Sequence, residues 1–496
     1  MPGDLASTKN RAFSIRFSGT GRLRRNRRRP SGKIRMFVLG VVALLAVAPL
    51  IVVLVHVLDT RGSRDLAAAK AEARAAGLPI DYSDPLFQRY ENAASLDPNA
   101  ATIYAEAFDV ASNLRPERLN PNLPVEGKAD LPDDPRTPLP PEMLSAVREH
   151  VSERQHALDL IHAASGVTPC LFPVHWKGPD TDLPHLARAR AAARLIRLSV
   201  ILHAEDGDPH AAVSSVLDGL ALAKPLVEEP VLISSLVAIA LDSITLASAQ
   251  RLLARTDPTA EDLVTLQKQF EASAEALSIR AGLSGEIANM SEAFKLLEQG
   301  RVPGSAAVTL PDGTEESAGN MKLGAFSAWF FRNDLKGSNA EMIRMLVKLV
   351  SAAEKPTPDV LGEPYGKALD SQLAASRYRF AFLARMLLPA ELRSIQQCEI
   401  ARAKLRSAVA CVAALRFRND TGAWPAYLAA LLPKYLTAVP LDPFTAKPLI
   451  YRVRDDGIVV YTVGKNGIDD GGKPWLIAPD KSDVGDYDDW GFRIWK

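Results

Sequence analysis

The chain has 496 residues, more than a single hydrophobic core usually organises, so we expect two or more folded units. Its net charge of +1 conceals an uneven distribution, because arginines crowd the start of the chain and carboxylates crowd its end. Three cysteines, Cys170, Cys398 and Cys411, form no CxxC motif and no paired framework, which argues against a cysteine-based zinc site and a disulfide scaffold.

An uncharged apolar segment follows the basic N-terminus. Residues 36–58 read MFVLGVVALLAVAPLIVVLVHVL. As a helix rising about 1.5 Å per residue, this segment is long enough to cross a hydrocarbon core about 30 Å thick. A cleaved signal peptide is the rival interpretation, but the apolar run is longer than usual for one and no A-x-A-like site follows it. We therefore predict a single transmembrane helix.

The arginines of residues 1–35 fix the expected topology. Basic residues next to a span stay on the cytoplasmic side, so we expect a cytoplasmic N-terminal tail, an inner-membrane location and an extracytoplasmic bulk. No aromatic residues alternate with the basic ones between Arg22 and Arg29, as a base-stacking surface would require. The arginines are interpreted as topogenic charge, and no nucleic-acid partner is expected.

Residues 59–395 predict an irregular extracytoplasmic helical bundle. The clearest signal is ILHAEDGDPHAAV, where Gly207 permits a reversal, Asp208 can cap the next helix and Pro209 suits its first position. This pattern predicts a helical hairpin. The following segment, Pro230–Arg255, is apolar nearly all round and is expected inside the bundle.

Three further expectations concern the bundle. Asp257 and Pro258 are expected to cap the helix that follows them. The segment 300–320 is rich in glycine and small polar residues and is expected to be a loop insert. Glu228 and Glu229 are expected on a solvated face or a helix end.

Residues 396–496 predict a different kind of module. A long helix leads into two strand-like runs, Pro448–Arg454 and Ile458–Val463, separated by Asp-Asp-Gly, which is the composition of a tight hairpin turn. The expected fold is therefore mainly α, with one transmembrane helix, a helical bundle and a small C-terminal α+β domain that contains an antiparallel sheet.

The end of the chain concentrates carboxylates in a glycine-rich setting. So many carboxylates repel one another at close range unless a cation lies between them. Calcium suits such a site because it accepts six to eight oxygen ligands from side chains and backbone carbonyls. A solvated acidic loop is the alternative. The candidate ligands are Asn466, Asp469, Asp470, Asp486, Asp488 and Asp489.

Four motifs follow one another in the last hundred residues: GAWPAYLAALLPKYL, VPLDPFTAKPLIY, DDGIVVYTVGKNGIDDGG and a terminal acidic pair. Their order resembles the C-terminal domain of the major pseudopilin of type II secretion systems. That family has a Tyr-Pro-type turn, a Leu-Pro-x-Asp-Pro-aromatic segment, a hairpin, a Tyr-Ser-x-Gly-x-Asp-Gly loop and an acidic end. The matching positions are Trp424, Pro425, Pro440, Asp442, Pro443, Phe444, Pro448, Tyr451, Tyr461, Thr462, Gly464, Asn466 and Gly467.

The resemblance implies a bacterial envelope protein with a calcium-stabilised loop, associated with type II secretion or pilus-like machinery. It carries ligands onto Asn466, where the family has Asp, onto Asp469 or Asp470, and onto Asp488 and Asp489. The N-terminus departs from the family. Pseudopilins have a glycine at which the chain is cleaved and a glutamate at the fifth residue of the mature apolar helix, and neither has a counterpart here. We therefore do not expect the chain to polymerise as a pilin.

These features favour a binding or scaffold protein rather than an enzyme. No H-E-x-x-H, G-x-S-x-G or Walker-type motif occurs, and no small-molecule substrate is identified. The helical domain is expected to bind a protein partner. The alternative is an envelope enzyme with its site around His162, Cys170, His175 and Trp176.

Overall fold

The computed structural model describes residues 60–112, 119–301, 307–309, 315–317, 329–472 and 489–496, together with Val47 and Val53. The predicted cytoplasmic tail 1–35 lies outside the described residues, and so does the predicted span 36–58 apart from those two valines. Residues from Thr60 to Lys496 form one compact unit.

Helices dominate this unit, as the sequence predicts. Most of them place a stripe of apolar side chains against one continuous core, which stabilises helices that would be marginal in isolation. In chain order they are α1 (Arg61–Ala75), α2 (Pro85–Glu91), α3 (Ala100–Ser112), α4 (Pro141–Glu153), α5 (Gln155–Ser165), α6 (Pro184–Glu205), α7 (Pro209–Glu228), α8 (Leu232–Arg255), α9 (Ala260–Ala276), α10 (Arg280–Glu298), α11 (Arg332–Glu354), α12 (Pro358–Leu361), α13 (Glu363–Ala374) and α14 (Phe382–Thr421).

The predicted helical hairpin is confirmed in α6 and α7. Gly207 adopts a φ of +71°, which an L side chain rarely accepts, and so reverses the chain. The Asp208 carboxylate accepts a hydrogen bond of 3.0 Å from the Ala211 amide, and Pro209 takes the first position of α7.

Helix α8 lies in the core, also as predicted. By length and composition it is apolar enough to cross a membrane, but 56% of its most apolar window is buried within the protein. Neighbouring helices cover much of its apolar surface, whereas a lipid-facing helix would leave that surface exposed. We therefore interpret α8 as the core helix of the bundle.

One local prediction was wrong. Helix α9 is capped by Thr259, whose hydroxyl accepts from the Asp262 amide while the Asp262 carboxylate accepts from the Thr259 amide. This reciprocal arrangement satisfies two amides at once, whereas Asp257 instead pairs with Lys496 at 2.7 Å. The prediction that Glu228 and Glu229 lie on a solvated face or at a helix end is confirmed, because α7 ends at the exposed Glu228 and Glu229 is its C-cap. Glu229 is nevertheless buried, 3.0 Å from His185 Nε2.

The expected loop insert contains a short antiparallel pair. Strand β1 (Ala307–Thr309) pairs with β2 (Glu315–Ser317), with Ala307 opposite Ser317. The sequence between the strands contains Pro-Asp-Gly, a composition typical of turns.

The predicted C-terminal sheet is confirmed and has one strand more than predicted. Strands β3 (Ile450–Arg454) and β4 (Gly457–Thr462) form the hairpin, and β5 (Trp490–Trp495) pairs antiparallel with the other edge of β4. Helix α14 packs against this sheet, and Cys411 Sγ donates to the Phe492 carbonyl at 3.3 Å. The predicted domain boundary at residues 395 and 396 falls inside α14, and helices and sheet share one hydrophobic core.

Candidate functional site

Asp469, one of the predicted calcium ligands, has protein partners for its charge. One carboxylate oxygen accepts from the Arg452 guanidinium, and the other accepts from the Tyr461 hydroxyl at 2.8 Å and from the Gly471 amide at 2.9 Å. Partial burial works to raise the pKa of Asp469, but these donors outweigh it and the pKa is lowered. Asp469 is therefore held as an anion by the hairpin itself.

Asn466 and Asp470 lie together in the same loop. The side-chain NH2 group of Asn466 donates to an Asp470 carboxylate oxygen at 3.2 Å. The side-chain oxygen of Asn466 accepts from the backbone amide of Ile468 at 2.9 Å. The loop therefore brings two of the predicted calcium ligands, Asn466 and Asp470, into contact.

Asp489 differs from its neighbours because it is only 2% exposed. One of its oxygens accepts from the Gly472 amide at 2.7 Å, whereas Oδ1 has no hydrogen-bond partner among the described residues. Burial raises the pKa of this carboxyl against the effect of the Gly472 amide, and the charges of Asp470 and Asp469 raise it further. A buried carboxylate oxygen without a donor is costly unless a cation or a proton meets it.

Asp486 and Asp488 lie outside the described residues. No group of three or more metal-ligating His, Cys, Asp or Glu side chains is found in the part of the chain that the structure describes. The calcium assignment therefore stays a prediction, and Asp489 is the described residue that fits it best.

The residues around Asp442 hold the hairpin and its loop in place. The buried Asp442 carboxylate accepts from the Thr462 hydroxyl at 2.8 Å and from the Val463 and Phe444 amides. The Tyr451 hydroxyl donates to the Pro425 carbonyl at 2.8 Å. These motif residues are structural joints between the turn after α14 and the sheet.

Three residues of the alternative enzyme site, His162, Cys170 and Trp176, have different surroundings, and His175 is exposed. His162 lies beside α7, with Nδ1 3.1 Å from both Asp218 carboxylate oxygens. Trp176 donates from Nε1 to the Phe87 carbonyl, within a group of aromatic rings. Cys170 lies in the wall of a cavity.

The Cys170 thiol is not activated for catalysis. Burial raises its pKa to about 12, and the negative charges of Glu229 and Glu228 add to the rise. A nucleophilic cysteine needs a lowered pKa, because the thiolate is the reactive form. The nearby Ser165 hydroxyl donates to the His162 carbonyl at 2.7 Å. Burial therefore disfavours the reactive thiolate form of Cys170.

The cavity beside Cys170 is large. It has a volume of about 520 Å³ and lies among α3, α5, α7 and α9. Its walls combine polar and apolar surface, and Lys224, Arg89 and Glu228 contribute charged groups. The Tyr104 hydroxyl also lines it, is buried and has no hydrogen-bond partner among the described residues. Burial raises the pKa of Tyr104, so the hydroxyl stays protonated and can donate to a ligand.

A second cavity of about 170 Å³ adjoins the first. Lys224 and Gln269 line both cavities, so the two form a cleft between α7 and α9. Asp242 of α8 lines the smaller cavity and is 4% exposed, and its Oδ1 has no hydrogen-bond partner among the described residues. Burial raises the pKa of Asp242 to about 7.

Sequence reasoning missed this cleft, although one signal for it was present. Asp242 is the single charged residue between Leu232 and Gln250, in a helix that is otherwise apolar and small. A lone carboxylate in such a helix indicates either a buried partner or a site. The positions of α7 and α9 around it depend on tertiary packing, which the sequence does not display.

Comparison of the chain with family models, with curated proteins and with solved structures finds no match. The resemblance to the major pseudopilin therefore rests on the motifs of the last hundred residues alone.

Proposed function

We propose that the chain is a membrane-anchored extracytoplasmic binding protein that holds a segment of a protein partner in the cleft between α7 and α9. The cleft supports this function because its two cavities together exceed the space that core packing leaves between helices. It also contains two buried polar groups, the Tyr104 hydroxyl and the Asp242 carboxyl, that lack partners among the described residues.

The lining of the cleft indicates the chemistry of the bound segment. The smaller cavity has walls from Leu220, Ala223, Val227 and Leu277 and a volume suited to one aliphatic side chain. A basic group on that side chain would satisfy Asp242. The larger cavity accepts further apolar side chains, while Lys224 at its edge suits an acidic group. We propose an extended segment with apolar residues around one lysine.

Residues 36–58 support the proposed location of the protein. Their apolar character and the arginines before them support a single span with the N-terminus in the cytoplasm and the cleft outside. The pseudopilin-like motifs favour a role beside a type II secretion or pilus-like apparatus.

The cleft can be tested by photo-crosslinking in cells. A photoreactive phenylalanine analogue placed at Ala221 or Ala272, which line the two cavities, should crosslink to one protein partner. The same analogue at Lys367 on α13, which is well exposed, is the matched control and should not. The substitution Asp242→Asn should reduce the yield at Ala272 about tenfold, because one charge-assisted hydrogen bond is lost. Equal crosslinking at all three positions would contradict the proposal.

We further propose that a calcium ion stabilises the C-terminal loop, with Asp489 and Asp470 as ligands. Asn466, Asp486 and Asp488 are the other candidates, whereas Asp469 already has Arg452 as its partner. The unpartnered oxygen of Asp489 supports this assignment. A bound ion would supply the positive charge that the buried carboxylate lacks.

Thermal unfolding with and without a chelator tests the ion. At calcium concentrations about a hundredfold above Kd, the wild-type protein should have a melting midpoint about 4 °C higher than in chelator. Asp489→Asn should abolish the difference, and Asp455→Asn in the exposed β3–β4 turn should preserve it. If wild type melts identically in both buffers, the carboxyl of Asp489 is simply protonated and the calcium proposal fails.

A further inference from the structure

Aromatic side chains gather on the surface of the helical domain near the start of α1. Successive ring centroids lie 5.2 Å apart for Phe330 and Phe331, 5.7 Å for Phe331 and Phe380, and 6.4 Å for Phe380 and Phe382. These four phenylalanines, together with Trp329, which precedes Phe330, and Met386, which follows Phe382 by four residues, are called the aromatic patch.

Much of the aromatic patch faces outward. The exposed fractions are 39% for Trp329, 54% for Phe382 and 65% for Met386. Phe382 and Met386 are four residues apart in α14 and therefore lie on the same face of that helix. Contiguous exposed apolar surface of this kind marks an interaction site in a folded protein, whereas single exposed apolar residues do not.

Specific contacts fix the aromatic patch to the first turn of α1. The Tyr378 hydroxyl donates to the Asp65 carboxylate, and Arg377 donates to the same group at 2.6 Å. Lys336 Nζ lies 3.3 Å from Ser63 Oγ, which attaches α11 to the same turn. A Cβ atom on Gly62 would lie 2.0 Å from the Asn333 carbonyl oxygen, so the two backbones are in direct contact there.

This turn is also where the chain enters the unit. Thr60 is the first residue of the unit, and the apolar run 36–58 ends two residues earlier in the sequence. Asp65 is only about 8 Å along the helix axis from Thr60, at about 1.5 Å per residue. If residues 36–58 cross a bilayer, only Asp59 separates the end of that span from the unit that carries the aromatic patch.

The charges around the aromatic patch suit a bilayer surface. Exposed arginines surround it, and the Arg379 guanidinium lies 5.4 Å from the centre of the Phe331 ring. Arginine buries its aliphatic stem in an apolar layer and keeps its charged end among phosphates. These arginines also pair with carboxylates of the protein, so the apolar contact is expected to carry most of the binding. They are Arg332, Arg377, Arg379 and Arg385.

We propose that the aromatic patch inserts into the headgroup region of the phospholipid bilayer on the extracytoplasmic side, and so holds the helical domain against the membrane. Aromatic residues prefer this interfacial layer, where ring and polar groups are both solvated. The proposal rests on the membrane anchor of the proposed function and adds a second contact to it.

The test uses the full-length protein in phospholipid vesicles. An environment-sensitive fluorophore is attached through Met386→Cys in a Cys170→Ser background, because the other cysteines, Cys398 and Cys411, are buried. Its emission should shift to the blue, and nitroxide-labelled lipids should quench it about twofold, as expected for insertion to the headgroup level. The same label at Lys434→Cys, an exposed position in the C-terminal module, should show neither effect.

A second variant separates insertion from folding. Phe382→Asp changes an exposed residue, so folding should persist, but the fluorophore at position 386 should lose its lipid quenching. A blue shift without lipid quenching would mean that another protein covers the aromatic patch, and would overturn the proposal. Unshifted emission at position 386 would also overturn it.

The anchor is measured independently. Flotation of the protein with vesicles after an alkaline wash reports the span alone, because peripheral contacts do not survive such a wash. Loss of flotation with quenching retained before the wash would contradict the anchor and support the aromatic patch. Retained flotation without quenching would support the anchor and contradict the insertion of the aromatic patch.

Discussion

At the scale of single residues, the described chain contains carboxyls whose burial is not compensated. Asp242 is the clearest case, because burial alone raises its pKa from 3.8 to about 7. Two ionisable groups in its surroundings are Lys224, which lines the same cavity, and the Cys398 thiol of α14. Neither forms an ion pair with it, so the folded protein carries the cost of its charge at neutral pH.

Asp242 should therefore make stability depend on pH. The folded state binds a proton at Asp242 up to about pH 7, whereas the unfolded chain releases it near pH 4, so the free energy of unfolding falls as pH rises through this window. At pH 8, Asp242→Asn should be more stable than wild type by about 2–4 kcal/mol, and near pH 4 the two should be similar. Denaturant titrations at both pH values measure the difference.

Asp218→Asn is the matched control. Asp218 is also a buried aspartate with a raised pKa, but it contacts His162. Replacing Asp218 removes its contact with His162 and should not stabilise the protein at pH 8. If both variants respond alike, the pH effect does not arise from the unpaired state of Asp242.

At the scale of elements, local chemistry determined what the sequence could predict. The α6–α7 hairpin follows from Gly207, Asp208 and Pro209, which act within one turn of the chain. The β3–β4 hairpin likewise follows from its Asp-Asp-Gly turn. Both predictions are confirmed because the residues that decide them are neighbours.

Elements that depend on distant partners were harder to predict. Strand β5 begins at Trp490, 28 residues after β4 ends at Thr462, so no turn signal connects them. Glu229 carries no local sign that it would be buried against His185 from another helix. The cleft between α7 and α9 is of the same kind, since helix packing rather than a motif creates it.

Glycine contacts show how tightly those helices are packed. A Cβ atom on Gly285 of α10 would lie 1.8 Å from the Pro230 carbonyl oxygen, in the link between α7 and α8. The backbone of α10 therefore fits against this link only because residue 285 lacks a side chain. That contact fixes α10 beside α8, the helix that carries Asp242.

At the scale of the whole molecule, the C-terminal sheet and the helical bundle are joined through α9 and α14. The Phe492 ring of β5 is fully buried and lies 6.2 Å from the Phe270 ring of α9. Gln267 of α9 donates to the Tyr435 carbonyl at 2.8 Å, and Lys496 Nζ donates to the Thr256 carbonyl at 2.8 Å. The C-terminal module is thus part of the main core.

This shared core predicts cooperative unfolding. Phe492→Ala should lower the free energy of unfolding by about 3–4 kcal/mol, because it removes a fully buried aromatic ring. The loss should appear equally in helical circular dichroism and in tryptophan fluorescence, since helices and sheet would unfold together. Tyr427→Ala, at a residue 63% exposed in the same module, should change stability little. Two separate transitions, with only the fluorescence change shifted by Phe492→Ala, would mean that the module unfolds independently of the bundle.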